Sequence, residues 1–145
     1  MIINNDKYNW VKYFIDKING TKYNGGLLYL KKICFYEEVI YVSNSPIYKS
    51  CCIKHNEKYY EIYIQLKIVT DYELEKYPER KTLKEHYKDK YVTKKDLLKT
   101  LAHEVAHVIT KNDENDSINA NSKLRIIEQD IENIFMKYYN SSKYT

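Results

Sequence analysis

The stretch from Asp96 to Ile109 constrains this chain more than any other, because its pattern suits only one kind of element. Leu97, Leu101, Val105 and Ile109 recur every four residues beside Leu98, Ala102 and Ala106, with no Gly or Pro among them. That is the apolar stripe of a helix packed on a core. Thr93, three residues before Asp96, adds a capping pattern at its start. Inside the stretch stand His103, Glu104 and His107, spaced H-E-x-x-H. Residues four apart lie above one another on a helix, so the two imidazoles can converge on one ion. Glu104 follows His103 by about 100° of rotation, which keeps it out of the ligand set but close to it.

Two imidazoles and an adjacent carboxylate in this pattern point to Zn2+ and hydrolysis. The chain has only 4 His, so a pair at this spacing around a Glu is not an effect of composition. Catalytic zinc takes three protein ligands and leaves the fourth position to water. His103 and His107 are two candidates, and Glu104 is placed to be the general base for that water. The third ligand must come from beyond the helix. Asp113 stands six residues after His107, at the third-ligand spacing of longer zinc motifs. Glu114 and Asp116 are rivals, and Glu128 or Glu132 would supply a ligand from a following helix. Thr110 occupies the place where those motifs carry the Gly of a left-handed turn, and Asn112 could take that conformation instead.

The other elements follow from pattern. Asp6 is expected to cap a helix over residues 7–19, with Trp10, Val11, Phe14, Ile15 and Ile18 inward and Gly20 as its stop. Residues 33–42, 47–53 and 59–69 read as strands, the last alternating Tyr60, Ile62, Ile64, Leu66 and Ile68 against Glu61, Tyr63, Gln65 and Lys67. Short connections suggest an antiparallel meander. By analogy with metal-dependent clefts, residues 59–69 are expected to offer an edge to an extended peptide. The charged stretch 71–90 forms a short helix or a loop, with His86 in solvent. A last amphipathic helix over residues 122–139 buries Leu124, Ile127, Ile131, Ile134, Phe135 and Tyr138, and residues 140–145 fray.

Composition narrows the class. Length, 43% hydrophobic and 30% charged residues indicate one domain over residues 1–145 with a core of its own. A net charge of +4 with interspersed Lys and Glu shows no basic block, so nucleic-acid binding has no support in the charge pattern. Three Cys, two of them adjacent, suit unpaired thiols in an intracellular setting. Residues 1–6 lack the basic-then-apolar pattern of a signal peptide, so none is expected, and no apolar run approaches membrane length.

Residues 98–109, with Thr100-Leu101-Ala102-His103-Glu104-Val105-Ala106-His107 at their centre, resemble the zincin metallopeptidases. They are most similar to the small intracellular WLM and SprT-like group, in which a sheet precedes a helix of the L-x-H-E-x-x-H type. WLM-type domains follow that helix with a His-Asp pair, where this chain has Asp113-Glu114. The resemblance implies an α+β, zincin-like fold. Its small, mostly antiparallel sheet of about three to four strands packs with an N-terminal helix, the motif helix and a C-terminal helix. It implies Zn2+ on His103 and His107, catalysis by Glu104 and a protein or peptide substrate. Some members cleave proteins crosslinked to DNA, so a protease for nucleic-acid-associated proteins is one alternative. A catalytically inactive zincin-fold module that binds a protein partner is the other.

Overall fold

The computed structural model describes residues 1–47, 49–56, 58–111 and 122–141. In chain order, β1 (Ile2–Ile3) leads through a 3-10 turn to α1 (Val11–Asp16) and then β2 (Leu30–Tyr36). A hairpin of β3 (Ile40–Val42) and β4 (Ser45–Ile47) follows, then β5 (Cys51–His55) and β6 (Tyr59–Gln65). Four helices complete the order: α2 (Asp71–Lys76), α3 (Lys81–Tyr87), α4 (Lys94–Ile109) and α5 (Lys123–Asn140). The architecture is mixed α+β.

The sheet corrects the expected meander. Its four strands run in the order β1-β2-β6-β5, and only β5–β6 is antiparallel. β1 pairs with β2, and β2 with β6, in parallel. The chain leaves β2 at Tyr36, makes the separate β3–β4 hairpin, returns as β5, and inserts β6 between β5 and β2. Side-chain alternation has a period of two in either kind of ladder, so the pattern on β6 carried no information about direction. The run expected over residues 33–42 breaks at Glu37-Glu38. There the Glu38 carboxylate accepts from Lys67 Nζ and from the Asp71 amide, both at 3.1 Å. The strand expected over residues 47–53 is likewise divided between β4 and β5.

β6 separates two packed layers. Tyr60, Ile62 and Ile64, with Ile33 and Phe35 of β2, face the helices. They meet Val11, Phe14 and Ile15 of α1, Leu98, Leu101, Ala102 and Val105 of α4, and Leu124, Ile131 and Phe135 of α5. On the opposite face Cys34, Tyr36 and Tyr63 are covered by Ile47 of the hairpin. Ile68 leaves the expected alternation and is 39% exposed, because the strand has already ended at Gln65.

The first helix is shorter than its stripe suggested. Asn5, not Asp6, caps the turn at Asp6–Tyr8 by accepting from the Lys7 amide at 3.0 Å. Only Val11–Asp16 is α-helical, although Ile18 is still buried, and Gly20 ends the segment at φ +89°. The other two expected helices form nearly as read. Thr93 Oγ1 accepts from the Asp96 amide at 3.1 Å to start α4, and Ser122 Oγ accepts from the Arg125 amide at 3.2 Å to start α5. Among the described residues no helix is long and apolar enough to cross a membrane.

Candidate metal centre

α4 is wedged between the sheet and α5, and that packing decides which of its side chains stay accessible. Leu98, Leu101, Ala102 and Val105 are fully buried and lock the helix in rotation. His103 and His107 are left half-buried at the rim, one turn apart. Their rings stand nearly perpendicular, 88°, with centroids 4.8 Å apart. One donor atom from each of His103, Glu104 and His107 lies within 4.8 Å of the other two. This donor set fits zinc in chemistry and in convergence: two imidazoles share one helix face with an adjacent carboxylate.

Glu104 is 3% exposed and turns inward. Its field reaches the sheet. The Cys51 thiol is pushed up to about 11, first by burial and then by the Glu104 charge. The Tyr36 hydroxyl is also raised, by burial first and then by Cys51, Cys34 and Glu104. That hydroxyl is buried without a hydrogen-bond partner among the described residues. Glu104 thus sits between the histidine pair and the wall formed by β5 and the end of β2.

α5 supplies what lies behind the histidines. Glu128 Oε1 contacts Nδ1 of His103, and Glu128 Oε2 accepts from Arg125 Nη1 at 3.0 Å. Glu128 does approach the site, but at the side of the His103 ring, and among the described residues the convergent donor group includes neither Glu128 nor Glu132. Asp113, Glu114 and Asp116, the expected third ligands, lie outside the described residues.

In the turn after α4, Asn112, the residue expected to take the left-handed conformation, lies outside the described residues. Thr110 keeps φ at −84°, its hydroxyl donating to the Ala106 carbonyl at 3.0 Å, and Lys111 takes the left-handed conformation at φ +58°. The buried Thr110 side chain completes the last helical turn, so the reversal falls one residue later. β6 is not an edge: it is paired on both sides, and the strands without an outer partner among the described residues are β1 and β5, of which β5 packs on α4. The other two histidines belong elsewhere. His55 contacts the Glu61 carboxylate on the sheet, and His86 is exposed on α3.

Sequence reasoning missed Arg125, Tyr36 and Cys51 as neighbours of the site. Arg125 and Glu128 carry a local signal, an opposite-charge pair three apart on a helix. Tyr36 and Cys51 carry none, because strand pairing brings them there. Compared with family models, curated proteins and solved structures, the chain matches none.

Proposed function

We propose that this chain is a zinc-dependent metallopeptidase of the zincin type, similar in plan to the WLM and SprT-like group. The observation that carries the proposal is the convergence of His103, Glu104 and His107 donor atoms within 4.8 Å on the open face of a buried helix. His103 and His107 would hold the ion, with a third ligand from Asp113 or its rivals Glu114 and Asp116. Zinc held there would supply Lewis acidity toward a water and a substrate carbonyl. A Glu104 carboxylate oxygen takes a proton from the attacking water and returns it to the departing amide nitrogen. Burial excludes bulk water from that carboxylate and holds it in place for the transfer. The outer edge of β5, which has no strand partner among the described residues and lies on a strand packed against α4, suits pairing with an extended peptide. Three cysteines, two of them adjacent at Cys51 and Cys52, suit an intracellular setting.

A second reading, an inactive zincin-fold module that binds a protein partner, is favoured by the turn after α4, where Thr110 and Lys111 stand in place of a glycine. One experiment separates the two. The protein purified without chelator should carry about one zinc per chain. It should also cleave an unfolded protein substrate, at a rate that Glu104→Gln lowers by about 10²–10⁴-fold without loss of zinc. Cleavage that survives Glu104→Gln would refute the assigned chemistry. Absence of zinc even after metal is added back would leave only the binding module.

A further inference from the structure

We infer that Glu128 is a positioning residue for His103: it holds the imidazole in its Nδ1–H tautomer and so presents Nε2 to the metal. The zinc-binding role rests on the metallopeptidase reading, whereas the proton on Nδ1 follows from the contact alone. Glu128 Oε1 meets Nδ1 of His103 across the interface between α4 and α5. A carboxylate only accepts hydrogen bonds, so the proton of that contact belongs to Nδ1, and in the neutral ring the lone pair is then on Nε2. The two nitrogens leave the ring on different sides. A carboxylate seated at Nδ1 is therefore on the far side of the ring from the atom that would ligate.

The second carboxylate oxygen is engaged as well. Arg125 Nη1 donates to Oε2 at 3.0 Å from the same face of α5, three residues earlier. With one oxygen on His103 and the other on Arg125, Glu128 is clamped and does not serve as the third ligand. α5 in turn is held by Leu124, Ile127 and Ile131, all buried against the core that also contains α4. The chain thereby sets the orientation of one ligand from a separate helix, before any metal arrives. Free imidazole in water favours the opposite, Nε2–H, tautomer, so removal of Glu128 should place a proton on the nitrogen needed for binding.

The test uses the whole chain labelled with ¹⁵N and stripped of metal. Long-range ¹H–¹⁵N correlation at mildly alkaline pH should find His103 as Nδ1–H in the wild type and mainly as Nε2–H in Glu128→Ala. In parallel, competition with a chelator should show zinc bound about 10–100-fold more weakly by Glu128→Ala at unchanged stoichiometry. Glu128→Gln, whose amide oxygen still accepts from Nδ1–H, should restore the tautomer and part of the affinity. It should also leave the visible spectrum of the cobalt-substituted protein unchanged. A wild type in the Nε2–H form, or a tautomer indifferent to Glu128→Ala, would overturn the inference while the zinc site stood. A cobalt spectrum altered in Glu128→Gln would make Glu128 a ligand and overturn it differently. An Nδ1–H wild type that takes up no zinc would overturn the metallopeptidase reading, and with it the role assigned to Glu128.

Discussion

Ile131 offers the sharpest test of how α5 is seated on α4. It is fully buried, three residues after Glu128, in the cluster that contains Leu98, Leu101 and Val105. Ile131→Ala deletes three carbons, about 2.4 kcal/mol of transfer free energy at ~0.8 kcal/mol per methylene. The unfilled volume adds to this, and such truncations cost about 2–5 kcal/mol in all. A loss of about 3–4 kcal/mol is expected, and about 1 kcal/mol for Ile131→Val. A chain of this length has roughly 7–22 kcal/mol of stability, so the variant should remain folded. Urea unfolding followed by circular dichroism should show the midpoint falling with the slope unchanged, and Tm should drop by about 10 °C. A cost below about 1 kcal/mol for Ile131→Ala at unchanged slope would mean that this face of α5 is not packed as described.

Three further outcomes are expected. With its thiol raised to about 11, Cys51 should be alkylated at pH 9 roughly 50–100-fold more slowly than a free cysteine, read by mass spectrometry of its peptide. Reaction at the free-thiol rate would contradict its burial beside Glu104. Tyr23, raised to about 12 by burial and by its contact with Asp130, binds its proton more tightly in the folded state. Its contribution is complete below the unfolded value of about 10 and is lost as pH rises toward 12, so stability should fall across that window. Tyr23→Phe should flatten part of that fall, and an unchanged slope would refute the assignment. Thr93→Ala should cost about 1 kcal/mol in chemical unfolding by removing the N-cap of α4, and a neutral effect would argue against that cap.

Much of this protein was legible in the order of its residues, for a local reason. The stripe Leu97, Leu101, Val105, the cap at Thr93 and the pair His103 and His107 are all set by helical geometry within a few turns, and the structure reproduces them. The stripe of α5 and its cap at Ser122 are read in the same way. The sheet was legible only as a set of strands. Alternation on β6 identified the face that meets the helices, yet a period of two is common to parallel and antiparallel ladders, so strand order and the edge position of β5 had to come from the fold. Nothing near Glu104 in the chain announces Cys51 or Tyr36, and nothing near His103 announces Glu128. Those neighbours are chosen by the packing of α4 against the sheet and α5, which depends on side-chain volumes meeting across the core. The sequence by itself determined that His103, Glu104 and His107 converge, because their spacing matches one helical turn. Only the tertiary structure decided what buries Glu104 and what grips His103, because those contacts join residues far apart along the chain.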